Sequence, residues 1–326
     1  MNIKVSVIVP VYGVEKYIER TMLSICNQKF NGYEIIIVDD GTTDRSAMMA
    51  EQILEKQVVP YRIIHKRNAG LPSARNEGLR VATGKYVCFI DADDIITEEH
   101  LSRLYSCCIR NCLLVAYAPF QITYESNRYG SAPEQRKATI IVREKLLNGF
   151  LRREYKIHCC SLLINREYLI TNDYKFNEKL RYGEDIDFMW RIFPSLTEIG
   201  CTETATYKYL QRQNSLMSNQ NIERVLVLID EFQKTIDALI KKYPQDDEIF
   251  RFLRGKTLLA FFRTFAETSS LEVFKNLLVK VEYKKDICRT LLIGNGRIAM
   301  LAAVLLASPK LFMITVKAEK WRGKQK

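Results

Sequence analysis

The sequence has 326 residues, of which 47% are hydrophobic and 27% are charged, a composition that excludes disordered, collagen-like and disulfide-scaffold proteins. The formal net charge is +11, and residues 221–326 contribute +8 of it while residues 1–100 contribute −2. This distribution argues against a uniformly basic nucleic-acid binder and favours a basic C-terminal region that meets an anionic surface.

The nine cysteines lack the C-x2-C pairs of a zinc site, and His65, His100 and His158 are too dispersed to complete one. The N-terminal apolar run Val5–Val11 is shorter than a secretory h-region, and no cleavage pattern follows it. These features predict reduced thiols and a cytoplasmic location.

Short Val- and Ile-rich runs alternate with helical patterns in the first hundred residues. The predicted strands are Val5–Val11, Glu34–Val38, Tyr61–His65 and Tyr86–Ile90. The predicted helices are Tyr17–Asn27, about Ser46–Gln57 and Pro72–Ala82, with a further helix start at Thr97. Buried strands separated by helices predict an α/β fold, a Rossmann-like wound and mostly parallel sheet covered on both faces.

Polar residues follow three of the predicted strands. They are the segments Pro10-Val11-Tyr12-Gly13, Asp39-Asp40-Gly41-Thr42-Thr43-Asp44 and Asp91-Ala92-Asp93-Asp94. Ligands of such sheets lie beyond the carboxyl ends of the strands, and carboxylates near a core must be paired, hydrogen-bonded or bound to a cation. The sequence therefore predicts a site for a divalent metal, a polar ligand, or both.

Five motifs follow one another along the chain: VSVIVPVYG, EIIIVDDGTTD, RNAGLPSARNEGL, GKYVCFIDADD and the later RYGEDIDF. In order and spacing they resemble family-2 inverting glycosyltransferases of the GT-A fold, over roughly residues 3–218. Enzymes of this kind build bacterial capsules, O-antigens and exopolysaccharides. One departure is Thr42 where serine is usual, a conservative change.

The resemblance implies a nucleotide-sugar donor, in particular a UDP-sugar. The donor-binding residues that it implies are Pro10, Tyr12 and Glu15 after the first strand, Asp39 and Asp40 after the second, Asn68, Arg75 and Asp91. Asp91 and Asp93 match the family's DxD motif, with Asp93 as the main Mn²⁺ or Mg²⁺ ligand and Asp91 nearer the ribose. A divalent cation suits this position because the leaving diphosphate gathers negative charge.

The Glu184-Asp185 pair matches the family's catalytic segment. Inversion requires a base on the face opposite the leaving group, and Asp185 matches that base, with Glu184 positioning the acceptor. The run Tyr209–Ser215 resembles the end of the family's catalytic domain, where Arg212 and Ser215 are candidate donor contacts. The QxxRW signature of processive polymerases and channel-forming helices are both missing, which favours addition of a single sugar.

After about residue 220 the strand pattern stops. Residues 1–220 are predicted as the catalytic domain and residues 221–326 as a basic helical region, with helices at Ile222–Lys242, Asp246–Ser269 and Leu271–Lys280. The apolar runs Ile298–Ala307 and Leu311–Val316 are each too short to span a bilayer. With the basic residues and Trp321 that follow, they predict an interfacial anchor on the cytoplasmic leaflet; the alternative is a packed helix with a solvated tail.

Each motif also has a simpler interpretation when taken alone. Asp39-Asp40-Gly41 is a common turn, Asp91–Asp94 can cap a helix, Glu184-Asp185 suits a helix start, and Arg75 can be a solvated helix residue. Together they predict transfer of one hexose or N-acetylhexosamine to a hydroxyl of a glycan or lipid-linked glycan, without nucleic acid as a partner. The rival hypotheses are a nucleotidyltransferase-like enzyme and a non-catalytic basic membrane-associated binding protein.

Overall fold

The computed structural model describes residues 2–124, 137–211, 222–294 and 296–324. The chain divides into two compact units, Met1–Gln213 and Asn214–Lys326. The strands of the first unit are β1 (Val5–Val11), β2 (Tyr33–Asp39), β3 (Tyr61–His65), β4 (Tyr86–Phe89), β5 (Ile95–Ile96), β6 (Val115–Tyr117), β7 (Phe120–Tyr124), β8 (Thr139–Val142), β9 (Leu162–Asn165), β10 (Glu198–Cys201) and β11 (Tyr207–Gln211).

The central sheet has eight strands in the order β3-β2-β1-β4-β9-β6-β10-β8. β1 pairs in parallel with β2 and β4, and β2 pairs in parallel with β3. β9 runs antiparallel between β4 and β6, and β8 is antiparallel to β10. The predicted α/β fold with a mostly parallel wound sheet is confirmed, and its parallel half contains all three strands from which site residues were predicted.

The prediction of a buried strand is wrong for β3, which lies at the edge of the central sheet. β3 has a neighbour on one side only, and its residues are exposed or half-buried, whereas every residue of β1 and β2 is buried. An edge strand needs fewer apolar residues, which explains the polar Arg62 and His65 within it.

Seven helices accompany these strands in the described part of the first unit: α1 (Ile18–Cys26), α2 (Ser46–Leu54), α3 (Leu71–Val81), α4 (His100–Arg110), α5 (Arg143–Arg152), α6 (Arg166–Thr171) and α7 (Glu184–Ile192). α3 begins with Pro72 in its first turn, where the missing N–H has no cost. α4 begins at His100, after Glu99, and not at Thr97; the backbone carbonyl of Thr97 accepts from the His100 N–H.

A second, three-stranded sheet in the order β5-β11-β7 flanks the carboxyl end of β4. β5 follows directly after the acidic segment Asp91–Asp94 and pairs antiparallel with β11 through Ile96 and Tyr207. This pairing fixes the acidic segment against the β11 strand.

All regular elements of the second unit are helices in its described residues. Its helices are α8 (Ile222–Lys242), α9 (Asp247–Thr268), α10 (Leu271–Lys280), α11 (Lys284–Ile293), α12 (Gly296–Ala307) and α13 (Pro309–Lys324). They enclose an apolar core to which Phe262, Phe274, Leu305, Phe312 and Val316 contribute.

This core changes the interpretation of the two C-terminal apolar runs. Leu301, Leu305, Phe312 and Val316, which the anchor hypothesis assigned to a membrane interface, are buried in the core of the second unit. The structure therefore favours the packed-helix alternative for these side chains. No helix among the described residues is long and apolar enough to cross a bilayer.

Candidate active site

The loops that follow β1 and β2 are joined by hydrogen bonds at the carboxyl edge of the sheet. The backbone N–H groups of Gly13 and Glu15 donate to Thr42 Oγ1 (2.9 Å) and Asp44 Oδ2 (3.1 Å). Although burial opposes it, hydrogen bonds from Ser46 and Thr42 lower the pKa of Asp44 to about 2. The two loops thus form one rigid wall beside the strand ends.

Three predicted donor-binding residues lie on or beneath this wall. Pro10 is buried within β1, whereas the Tyr12 ring is 55% exposed and free to stack on a planar ligand. Glu15 is engaged with Arg45, whose Nε lies 2.8 Å from Glu15 Oε1. Hydrogen bonds from the Arg45 backbone and side chain lower the pKa of Glu15, so this carboxylate orders the loop.

Asp39 and Asp40 are both buried, and both already accept hydrogen bonds from the protein. Asp39 accepts from the Thr42 N–H (2.8 Å) and pairs with His65 (2.9 Å). Asp40 accepts from Lys66 Nζ (2.7 Å) and from the N–H groups of Ala69 (3.0 Å) and Gly70 (2.8 Å).

The Asp40 carboxylate therefore holds the loop before α3 against the end of β2. Asn68 lies on this loop with an exposed side chain. A carboxylate has about four acceptor positions, so Asp40 has one left for a ligand N–H.

The three carboxylates of the segment after β4 lie in different environments. Asp94 is buried, accepts from the Leu210 N–H (2.7 Å) and is hydrogen-bonded to the Tyr207 hydroxyl. Burial, with the nearby charges of Asp91 and Asp93, raises the pKa of Asp94 to about 8. Asp91 and Asp93 are half-buried, so they are the two carboxylates of this segment that a ligand can reach.

Arg75 connects this segment to α7. Its guanidinium is only 2% exposed and donates to Asp91 Oδ1 (2.7 Å) and to Glu184 Oε1 (3.1 Å). The guanidinium also lies 5.0 Å from the centre of the Phe176 ring. Burial opposes the charge, but the carboxylates raise the pKa of Arg75 well above its usual value. The alternative of a solvated helix residue is therefore wrong for Arg75.

The two carboxylates at the start of α7 differ in environment. Burial raises the pKa of Glu184 to about 7 despite its contact with Arg75. Asp185 is half-buried, in the first turn of the same helix. Glu184 is thus fixed within the protein, while Asp185 faces the accessible side.

His158 is a site residue that the sequence analysis missed. Its Nδ1 accepts from the Cys160 N–H (3.2 Å), which leaves Nε2 to carry the proton of the neutral ring. The ring stacks on Tyr207, with centroids 5.3 Å apart. Burial lowers the pKa of His158, although the nearby charges of Asp91 and Asp185 act in the opposite direction.

No periodic pattern in the sequence around His158 indicated this position, because the residue precedes a single turn of 3-10 helix and not a regular element. Arg212 and Ser215 lie outside the described residues. The nine cysteines are all free thiols, and five of them are buried. In the described ranges, no group of three or more His, Cys, Asp or Glu side chains is arranged to hold a metal ion.

A family model for glycosyl transferase family 2 matches residues 6–170, half of the chain, and the chain therefore belongs to this family. The nucleotidyltransferase alternative is set aside by this membership.

Several curated proteins are similar to the chain. The "uncharacterized glycosyltransferase EpsJ" of Bacillus subtilis (strain 168) is 32% identical over 216 residues, which cover 65% of this chain and 62% of EpsJ. The "minor teichoic acid biosynthesis protein GgaB" of the same organism is 27% identical over 260 residues, 76% of this chain and 28% of GgaB. The chain thus matches less than two thirds of the length of either relative.

Among solved structures, S. aureus TarS 1-349 in complex with UDP-GlcNAc superimposes with a TM-score of 0.71. The match covers 98% of this chain and 92% of that one, at 21% identity. This likeness confirms the GT-A fold.

Proposed function

We propose that the protein transfers one sugar from a UDP-sugar to a hydroxyl of a glycan or lipid-linked glycan acceptor, with inversion at the anomeric carbon. The observation that carries this proposal is the Arg75 bridge between Asp91 and Glu184. It places the acidic segment after β4, which would face the donor diphosphate, beside the helix start that would carry the base.

The proposed donor subsite lies at the ends of β1 and β2. The exposed Tyr12 ring would stack on uracil, and the remaining acceptor positions of Asp39 and Asp40 would receive a base N–H. The UDP-GlcNAc complex of TarS, which shares the fold, supports a UDP-sugar as donor. We include Pro10, Asn68, Arg212 and Ser215 among the donor contacts on the resemblance alone.

The carboxylates after β4 fit a divalent cation that is held mainly by the ligand. One oxygen of Asp91 is occupied by Arg75, so Asp93 and the other Asp91 oxygen would hold Mn²⁺ or Mg²⁺. Two carboxylates suffice when diphosphate oxygens and water complete the shell. Such a cation neutralises charge on the departing diphosphate.

We assign the general base to Asp185 and a positioning role to Glu184. Asp185 is accessible and would take the proton of the acceptor hydroxyl as its oxygen attacks the anomeric carbon. The bond to the UDP oxygen breaks on the opposite face, and UDP leaves. Glu184 is 8% exposed and bonded to Arg75, so it orients the first turn of α7.

The residues also support a role for a membrane surface, carried by only the exposed part of the segments from which the sequence predicted an anchor. Leu311, Ile314 and Trp321 of α13 are 55%, 55% and 64% exposed. With the neighbouring lysines, this face would rest on the cytoplasmic leaflet as a peripheral contact. We propose residues 1–220 as the catalytic domain and the remainder as the region that meets the acceptor and the membrane.

The test measures UDP release from UDP-GlcNAc and UDP-hexoses with candidate glycan acceptors. Asp185→Asn should lower kcat about 10²- to 10⁴-fold, as expected for loss of a general base, with the donor KM little changed. Glu203→Asn, which removes an exposed carboxylate elsewhere, is the matched control. An Asp185→Asn enzyme within threefold of wild type would exclude Asp185 as the base.

A further inference from the structure

A basic groove of about 870 Å³ lies within the second unit, between α9, α10, α11 and the start of α13. Six cationic side chains line it: Arg251, Arg254, Lys275, Lys284, Lys285 and Arg289. Among the described residues that line the groove, Glu282 and Asp286 are the only acidic ones, so cations outnumber anions by six to two. The groove is thus a concentrated positive site within a helical unit.

The positive charge of the groove is only partly neutralised by the protein. Arg251 pairs with Asp247 (2.5 Å), and Arg254 pairs with Asp237. Among the described residues, the other four cations form no ion pair within 4.0 Å. In addition, Nε of Arg254 is buried without a hydrogen-bond partner in the described part of the chain.

The position of two of these lysines is unfavourable for the stability of the fold. Lys284 and Lys285 begin the first turn of α11, where the helix dipole favours anions; Asp286 is the one acidic residue of this turn, and no side chain caps this end. Both side chains are exposed, so neither is needed for packing. An arrangement that works against the dipole is explained if an anion binds in front of it.

The shape of the groove and its uncharged lining residues indicate which class of anionic ligand it fits. Leu278, Val281 and Tyr283 add apolar surface beside the cations, which suits the carbon faces of a sugar or polyol. In the described part of the lining Tyr283 is the one aromatic residue, whereas single-stranded nucleic acids bind on several stacking rings. A concave groove also fits a flexible chain better than the flat surface of a bilayer.

We propose that this groove binds a phosphate-bearing segment of the acceptor, a sugar or polyol chain linked by phosphodiesters. The phosphates would lie against Lys275, Lys284, Lys285 and Arg289, and the carbon backbone against Tyr283 and its neighbours. This inference rests on the proposed glycosyl transfer, since it names the chemistry of the acceptor for that reaction.

The test uses the full chain and a fluorescently labelled glycerol phosphate hexamer, with binding measured by anisotropy. Lys284→Gln/Lys285→Gln and Lys275→Gln/Arg289→Gln should each weaken binding at least tenfold, and wild-type binding should weaken as NaCl rises from 50 to 200 mM. The control Lys56→Gln/Lys241→Gln removes two exposed charges outside the groove and should bind like wild type. Lys284→Gln/Lys285→Gln should melt at or above the wild-type temperature, because the substitution relieves the helix dipole.

Equal losses in the control and groove variants would overturn the proposal, since general charge attraction would then suffice. The proposal would also be refuted if a DNA hexamer bound as tightly as the glycerol phosphate hexamer. The same holds if the groove variants lost binding to phosphatidylglycerol vesicles but kept binding to the hexamer. Transferase activity is followed separately with UDP-GlcNAc and the UDP-hexoses. Groove-dependent hexamer binding without any transfer would refute the proposed function and leave the groove assignment standing; transfer without hexamer binding would do the reverse.

Discussion

At the scale of single residues, Arg75 holds together groups that would otherwise repel. Its buried guanidinium lies between the half-buried carboxylate of Asp91 and the buried carboxylate of Glu184. Removing one partner from a buried ion pair typically costs about 3–5 kcal/mol because a charge is left uncompensated. Arg75→Met should therefore lower the free energy of unfolding of the first unit by about that amount in urea denaturation.

The Arg75→Met/Glu184→Gln double variant also removes the negative charge of Glu184, one of the two carboxylates left without a partner. It should therefore be more stable than Arg75→Met alone, with part of the lost free energy of unfolding recovered. Arg80→Met, at an exposed position of the same helix, is the control and should change stability by less than about 0.5 kcal/mol. A loss below 1 kcal/mol for Arg75→Met would show that the bridge is not structural.

His100 makes the stability of the first unit depend on pH. It is fully buried, its Nδ1 lies 2.7 Å from Thr206 Oγ1, and burial lowers its pKa to about 3. Between pH 6.5 and 3 the unfolded chain binds a proton that the folded chain does not. This contribution is present above pH 6.5 and is lost on acidification by about 1.4 kcal/mol per pH unit.

The measurement is the slope of unfolding free energy against pH from 7 to 5, compared between wild type and His100→Gln. Asp94 and Glu184 have raised pKa values and act in the opposite direction, but both proteins share them. The wild-type slope should exceed that of the variant by about one proton. Parallel slopes would mean that His100 is protonated within the fold.

At the scale of elements, the close approach of α3 to the sheet sets the position of Arg75, which lies on this helix. A Cβ on Gly78 would lie 2.3 Å from Ile8 Cγ2 of β1, so only glycine permits this contact. Gly78→Ala should push α3 outward and destabilise the first unit by about 1–3 kcal/mol, as overpacking does. Thermal unfolding checks this, with Ser73→Ala as a control for helix propensity on α3.

A Gly78→Ala protein as stable as wild type would show that α3 moves without cost. In that case UDP binding, read as a thermal shift, should also be unchanged.

The same helix shows what the sequence could and could not predict. The strands β1 and β3 and the helices α8 and α10 lie where the apolar pattern placed them, because their apolar runs end at Pro, polar or charged residues. The spacing of Ala74, Gly78 and Leu79 also marks a buried face that includes Arg75, and this spacing is a signal of burial that the sequence contains. The bridge to Glu184 had no local signal, since it joins positions 109 residues apart.

At the scale of the whole molecule, the basic side chains behind the net charge of +11 differ between the two units in whether carboxylates pair with them. In the first unit the basic side chains near the sheet edge, such as Lys66 and Arg75, are paired with carboxylates. In the second unit the cations of the groove are largely unpaired within the described residues, and others accompany the exposed face of α13. Local windows could not separate these roles, because the partners of α12 and α13 in the core lie in α9 and α10.

The exposed and buried faces of α13 make the membrane hypothesis testable without truncation. Deleting residues 290–326 would remove Phe312 and Val316 from the core, so lost membrane binding would not be separable from unfolding. Leu311→Ser/Ile314→Ser changes only the exposed face and should reduce co-sedimentation with phosphatidylglycerol vesicles severalfold at an unchanged melting temperature. Phe312→Ala should instead destabilise the second unit by about 3–5 kcal/mol. Unchanged vesicle binding by the exposed-face variant would show that α13 does not rest on the membrane.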